Sequence, residues 1–363
     1  MMNLQLLLKG LRAFETRRVA VIGDLMLDEY LWGHVDRISA EAPVPILSVV
    51  RREATLGGAG NVVQNLRTLG VQVAAFGVVG DDETGKQIRD LLTAHGVDAA
   101  GVVSDFRRRS TRKVRLMSLE HGQQVFRLDD ESTAAIRQDI EDHLIPMIRT
   151  AAQHAQVIVC SDYMKGVLTE RLLAKIFAAA SEFGVTTIVA PKDESPQKYR
   201  GASVLVPNAR ELAQLVGTPM DGEVWLNDSG RQLMQRMGLQ ALLVTRGSDG
   251  MSLFENSKPG LRRVDIPTTA RSVYDVTGAG DTAIAAFAAA LAAGISREDA
   301  AHLANLAAGL KVAKRGTACV NCTELLECLR EHAANSRDLQ NQLFIDATRP
   351  VVENIERRRA RVS

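Results

Sequence analysis

The sequence predicts an α/β protein: a mostly parallel sheet with helices packed on both faces. Short apolar runs recur along the chain: "RRVAVIGD" (17–24), "AQVIVCSD" (155–162), "VTTIVAPK" (185–192), "ASVLVPN" (202–208) and "LQALLVTRG" (239–247). Each reads as a buried strand. Amphipathic helical segments intervene, and repeated alternation of the two implies parallel pairing with both faces covered. At 363 residues and 46% hydrophobic content, the chain can bury the core such a sheet needs.

The opening "MMNLQLLLKGLRAF" has no basic segment ahead of its apolar patch and no small-residue cleavage site. It reads as an amphipathic helix, not a signal peptide. After the first strand, residues 30–55 break the alternation and resemble a β ribbon with turns. Gly57 and Gly58 follow, where glycine permits close backbone approach to a ligand. "GGAGNV" (57–62) is only part of a dinucleotide fingerprint and follows a ribbon, so no nicotinamide site is expected there. "NVVQNLRTLG" places Val62, Leu66 and Leu69 on one helix face and ends at Gly70. Asn61 and Asn65 share another face. They suit sugar hydroxyls, or else helix N-terminus chemistry for Asn61 and a solvated polar face for Asn65.

"GDDETGKQ" (80–87) nearly matches a phosphate loop. Gln87 lacks the hydroxyl that would hold Mg²⁺, and three acidic residues would repel phosphate, so a turn and helix start are expected. A second ribbon spans 107–130, with a hairpin turn at "EHGQQ" (120–124). The two ribbons form a small lid, about 30–52 and 107–128, over a site or at a dimer surface.

Five polar residues stand just past strand ends: Asp24, Asp162, Lys192, Asn208 and Thr245. Ligands of such sheets bind beyond the C-terminal strand ends, so five on one edge point to one site. "NARE" (208–211) matches a helix capping box, and Glu211 could equally orient water on Mg²⁺. "DVTGAGDTAIAAF" (275–287) is a glycine turn feeding an Ala-rich helix. Exposed N–H groups and the helix dipole make such a turn an anion site. Asp281 at its mouth is either a helix-end residue or a reacting group.

The basic and acidic totals, 44 and 43, nearly cancel, and no apolar run approaches the ~20 residues of a membrane span. Neither nucleic acid nor membrane is an expected partner, and a cytoplasmic protein is expected. Cys319, Cys322, Cys328 and His332 have a spacing that zinc could use. However, Cys328 sits among Leu325, Leu326 and Leu329 at helical periodicity, where cysteine serves as a small hydrophobe. Residues 331–363 read as a charged, solvated tail beyond a domain spanning 1–330.

"LGGAGNVVQNL" (56–66) and "DVTGAGDTAIAAF" resemble the two signatures of ribokinase-type carbohydrate kinases. The resemblance runs in order from about residue 18 to 330. It implies a ribokinase-like three-layer α/β/α sandwich with a small β-sheet lid, and ATP and Mg²⁺ as cofactors. "GDLMLDEYLWGHVDRISAEAPVPIL" (23–47), "SDYMKG" (161–166) and "YDVTGAGDT" (274–282) more narrowly resemble D-glycero-β-D-manno-heptose 7-phosphate kinases. No "HxGH" nucleotidyltransferase motif is present, so a free-standing kinase is expected rather than one fused to an adenylyltransferase. That resemblance implies ATP-dependent phosphorylation of the heptose 7-phosphate at its anomeric hydroxyl. The product would be the 1,7-bisphosphate, on the way to ADP-heptose and lipopolysaccharide core. Another sugar or nucleoside kinase of this fold, or a non-catalytic sugar-binding regulator, stays open.

The resemblance also implies roles. Asp281 is the base beside an anion hole of Gly278, Ala279 and Gly280. Asp24, Gly57, Gly58 and Asn61 meet sugar hydroxyls, and Lys192 neutralises phosphate charge. Asn208, Glu211, Thr245, Gly247 and Asn305 serve the nucleotide, Glu211 reaching Mg²⁺ through water. At least one of Arg37, Arg112, Arg115 and Arg127 meets the sugar's phosphate, because a planar guanidinium matches phosphate oxygens. A homodimer through the lid is expected. The chain departs from the family at Ala190-Pro191, where many members carry Asp-Pro.

Overall fold

In a computed structural model the described residues are 4–120, 122–257, 260–270, 272–314 and 318–335. Most of the expected charged tail therefore lies outside them. Its first residues, to Asn335, continue the last helix.

Thirteen strands follow in chain order: β1 (Arg18–Gly23), β2 (Leu25–Ile38), β3 (Pro45–Gly58), β4 (Gln72–Gly80), β5 (Val102–Asp105), β6 (Thr111–Ser118), β7 (Gln124–Asp130), β8 (Val157–Ser161), β9 (Thr186–Ala190), β10 (Val204–Leu205), β11 (Ala241–Thr245), β12 (Met251–Ser257) and β13 (Gly260–Ile266). Nine form the main sheet, in the order β13-β12-β11-β10-β9-β8-β1-β4-β5. All its pairings are parallel except those of the β11-β12-β13 edge. The five expected strands are the five from β1 to β11 along this sheet. β4, β5, β12 and β13 complete it.

Strand alternation divides the core into two layers. Val19 and Val21 of β1 join one buried cluster, and Ala20 and Ile22 join the other. β11 repeats the division, with Ala241 and Leu243 on one side and Leu242 and Val244 on the other. One layer holds α1 (Leu4–Ala13), α2 (Ala59–Thr68), α3 (Glu83–Ala94), α8 (Ala279–Ala292), α9 (Arg297–Val312) and α10 (Cys322–Asn335). The other holds α4 (Gln138–Ala152), α5 (Glu170–Phe183), α6 (Ala209–Val216) and α7 (Gly222–Met237). The expected N-terminal helix is α1, and it buries Leu7, Leu8 and Leu11.

The second sheet has the order β3-β2-β6-β7. Its first two strands run further than the expected ribbon, covering 25–58, and the other two cover 111–130, starting later than the expected 107. β2 leaves β1 directly at Asp24, and β3 runs straight into α2. Both ends of this hairpin are therefore rooted at the edge of the main sheet. The near-phosphate loop is a helix start: Asp82 Oδ1 accepts the Gly85 N–H at 2.7 Å and caps α3. Cys322 donates its thiol to the Leu69 carbonyl at 3.0 Å, and Cys328 packs against the core. The His332 side chain lies outside the described residues. Among those described, no group of three His, Cys, Asp or Glu side chains could hold a metal.

Candidate active site

β1 lies between β4 and β8, where successive crossovers leave to opposite sides. Such a switch point opens a crevice at the strand ends. Asp24 sits there, 1% exposed. Its Oδ2 accepts the N–H groups of Tyr163 at 2.8 Å and Lys165 at 3.0 Å, and its Oδ1 accepts that of Val167 at 3.1 Å. Burial raises its pKa against these three bonds. Asp24, which the resemblance sets at the sugar, pins the loop after β8.

The two glycines of "LGG" are likewise set by the protein itself. A Cβ at Gly57 would lie 2.6 Å from Asp28 Oδ2, and one at Gly58 2.4 Å from the Asp24 carbonyl. Gly58 also turns into α2 at φ +57.

Gly278 caps α8 at φ +75, where a Cβ would meet Asn61 Nδ2 at 2.8 Å. Only glycine satisfies both the conformation and the contact. Ala279, Gly280 and Asp281 form the first helical turn, whose N–H groups have no intrahelical acceptors. Asp281 does not turn back on its own helix. Its Oδ2 accepts from Asn61 Nδ2 at 2.7 Å and its Oδ1 from the Tyr163 hydroxyl at 2.6 Å. Asn65 completes the chain: its Nδ2 donates to Asn61 Oδ1 at 3.1 Å, and its Oδ1 accepts from Thr282 Oγ1 at 2.8 Å. Asn65 is therefore buried between α2 and α8, not on a solvated face.

Loss of hydration pushes the pKa of Asp281 up to about 6; its bonds to Tyr163 and Asn61 oppose the shift, and repulsion by Asp28 adds to it. The result is a carboxylate poised near neutrality beside an N–H turn. It can accept a proton within reach of a site that attracts anions. Lys311 of α9, 2% exposed, lies under the turn: its Cε is 3.6 Å from a Cβ built on Gly278.

Further along the edge, Asn208 and Thr245 adjoin through a parallel bridge. The capping box is complete: Asn208 Oδ1 accepts the Glu211 N–H and Glu211 Oε2 accepts the Asn208 N–H, each at 2.9 Å. Glu211 Oε1 also receives Lys192 Nζ at 2.7 Å. Lys192, expected at a phosphate, thus neutralises the carboxylate expected at Mg²⁺. Gly247 opens an exposed turn at φ +60. Asn305 is buried in α9 and donates to the Pro267 carbonyl at 2.8 Å, which fixes the chain after β13. Beside the Ala190-Pro191 departure, Lys198 Nζ and the Tyr199 hydroxyl both reach Asp162 Oδ2, at 2.6 and 2.7 Å.

The four lid arginines part company. Arg115 donates to Asp28 Oδ1 at 2.7 Å and lies over the Tyr30 ring, 5.2 Å from its centroid. Arg112, on the opposite face, pairs with Glu29 at 2.9 Å. Arg127 pairs with Asp129 at 2.8 Å, and Arg37 is exposed near the end of β2. Sequence reasoning missed Asp28 and Tyr163. A signal for Asp28 was present, since a carboxylate in "LMLDEYLW" shares a strand face with Tyr30. Tyr163 offered only its place after Asp162.

Residues 16–323 match the pfkB family of carbohydrate kinases. The chain is 43% identical over 337 residues to the bifunctional protein HldE of Geotalea uraniireducens, covering 93% of this chain and 67% of that one. It is 44% identical to the HldE of Geobacter metallireducens over 322 residues, 88% of this chain and 65% of that one. The chain therefore spans about two-thirds of these relatives. Among solved structures, Arabidopsis thaliana ribokinase complexed with ribose and ATP superposes with TM-score 0.68 at 21% identity, covering 86% of this chain and 98% of that one. Escherichia coli phosphofructokinase-2 in complex with potassium gives 0.73 at 19% identity, covering 87% and 99%.

Proposed function

The chain belongs to the pfkB family of carbohydrate kinases and is a sugar kinase, and we propose that it phosphorylates D-glycero-β-D-manno-heptose 7-phosphate at the anomeric hydroxyl, using ATP. The observation that carries the reading is the pairing of Asp281 with the Gly278–Gly280 turn at the switch point. Phosphoryl transfer asks for two things: removal of the acceptor's proton and stabilisation of charge on the moving group. Asp281 takes the proton, and the N–H groups of Gly278, Ala279 and Gly280 receive the charge. Asn61 holds the base in place, and the Asp28 carboxylate faces the sugar hydroxyls.

The heptose is argued from the stretches 23–47, 161–166 and 274–282. The relatives named HldE support it. Arg115 is the arginine best placed for the 7-phosphate, because it shares a lid face with Asp28 and is largely enclosed. Asn208, Glu211, Thr245 and Gly247 line the nucleotide side. Mg²⁺ needs few protein ligands and completes its shell with water and phosphate oxygens. A single carboxylate at this edge suits it, and Glu211 would hold its water shell, with Lys192 then freed toward phosphate. Bound Mg²⁺ would supply neutralisation of the nucleotide's phosphates.

The lid also supports a homodimer. Val50 on β3 and Phe126 and Leu128 on β7 are 64%, 58% and 51% exposed, apolar side chains that a second lid would cover. Residues 1–330 form the kinase domain. Among the described residues no helix is long and apolar enough to cross a membrane, in keeping with a cytoplasmic enzyme.

The test is ADP release with a panel of acceptors. Heptose 7-phosphate is expected to give the highest kcat/KM, ahead of the unphosphorylated heptose, ribose, fructose 6-phosphate and nucleosides. A higher value for any of these overturns the substrate assignment.

A further inference from the structure

Tyr163 takes part in none of the roles above, yet its hydroxyl is 2.6 Å from Asp281. It sits in a loop with no regular structure, which would ordinarily place a side chain poorly. Here the loop is pinned. The buried Asp24 carboxylate accepts N–H groups from positions 163, 165 and 167. Met164 between them holds the left-handed conformation at φ +58, rare for a side-chain-bearing residue, and its N–H is taken by Asp162 Oδ1 at 2.8 Å. Gly166 occupies φ +86, where a Cβ would strike the Ala134 carbonyl at 2.0 Å. One conformation is over-determined, and what it presents to the site is the phenol.

We propose that Tyr163 is the positioning residue of the base: clamped by Asp24, its hydroxyl fixes one oxygen of the Asp281 carboxylate, as Asn61 fixes the other, and so holds the carboxylate in its ionised, correctly turned state. This rests on Asp281 being the base. The phenol stays protonated, because burial and the Asp281 charge raise its pKa well above the ordinary value. It therefore acts as a donor throughout and takes no part in the proton's path. Two other charged groups face Asp281: Asp28 repels its charge and Lys192 attracts it. Asp28 and Glu211 act on Tyr163 in the same sense as Asp281.

Tyr163→Phe keeps the ring and removes the donor. Loss of a hydrogen bond to a charged group is expected to lower kcat by about 10- to 100-fold. The acid limb of the pH–kcat profile is expected to move to higher pH, because the lost bond had favoured the ionised form. The KM values for ATP and sugar should stay near the parent's. Asp24→Asn loosens the clamp and should move the limb in the same direction. The double variant should then cost little more than the worse single one, since both act through one hydroxyl. An acid limb left in place in Tyr163→Phe overturns the proposal. So does a kcat that rises at every pH, which would mean the phenol masks the base. If Asp281→Asn is inactive while Tyr163→Phe leaves the profile unmoved, this inference fails and the assignment of the base stands. If Asp281→Asn keeps its kcat, the base itself has been misassigned.

Discussion

The two ends of the strand edge handle their carboxylates in opposite ways. At the end by β10, Glu211 is tied to a lysine ammonium and to the start of its own helix. Its charge is compensated within a few ångströms, and the arrangement stabilises the edge by itself. At the switch point, Asp281 has only neutral donors on its two oxygens, and a second carboxylate, Asp28, bears on it. The first arrangement makes a carboxylate part of the framework. The second leaves it destabilised as an anion, which makes it able to take up a proton. The difference teaches that a polar residue at a strand end is defined by what pairs with it, not by its position.

Substitutions at the two ends should therefore fail differently. Asp281→Asn preserves shape, but it offers one acceptor oxygen where the carboxylate offers two, and it cannot accept the proton. It is expected to lower kcat by about 10²–10⁴-fold, roughly 3–5 kcal/mol of barrier, with little change in ATP affinity. A kcat within about threefold of the parent would remove the contrast altogether.

The lid arginines sharpen the comparison next. Arg115→Ala should raise the sugar-phosphate KM about 10- to 150-fold, the loss of one charge-assisted contact of ~1.5–3 kcal/mol. Arg127→Ala, whose partner is the exposed neighbour Asp129, should change it little. Steady-state kinetics with sugar varied at saturating ATP decides this, and equal effects at both positions would count against Arg115.

Glu211→Ala is expected to separate a structural from a catalytic role at the other end. Loss of the reciprocal cap should lower stability by about 0.5–2 kcal/mol, read as a fall in Tm. If the residue also serves Mg²⁺, turnover should fall and its Mg²⁺ dependence weaken while sugar binding persists. A stability loss with normal kinetics would leave the capping box as its whole role.

The smallest effect is the pH dependence of Asp281. The folded state raises the pKa of Asp281 from the ordinary 3.8 to about 6. The folded protein thus holds this proton more tightly than the unfolded chain does. Stability from this group is lost as pH rises through about 6, and none of the penalty is felt below the unfolded pKa. Asp281→Asn should therefore gain Tm relative to the parent at pH 7 and lose that advantage by about pH 4. Activity runs the other way, falling as pH drops below about 6, because the protonated base cannot accept. Thermal melts and pH–rate profiles of the parent and the Asn variant check both signs.

Much of the site was legible in the chain because it rests on local chemistry. A glycine turn before an Ala-rich helix exposes N–H groups wherever it folds, and Asn208 with Glu211 three residues later makes a capping box from sequence spacing alone. The lid was legible as a break in the β–α rhythm. The strand before Asp24 puts it at the site edge, and nothing local reveals that a loop about 140 residues further on delivers three N–H groups to it. Asn65 fits a solvated face or a ligand contact equally well in the sequence, because its partner Thr282 comes from α8, 217 residues away.

The layered architecture, the glycine turn before α8 and the capped strand edge follow from the sequence alone. Apolar period, glycine placement and cap spacing act within a few residues and need no partner from afar. Only the tertiary structure decided which carboxylates are neutralised, which are clamped and which is left to titrate. Those states depend on desolvation and on donors brought from α2, β2 and the loop after β8, whose approach to Asp281 is set by packing and not by any neighbour along the chain.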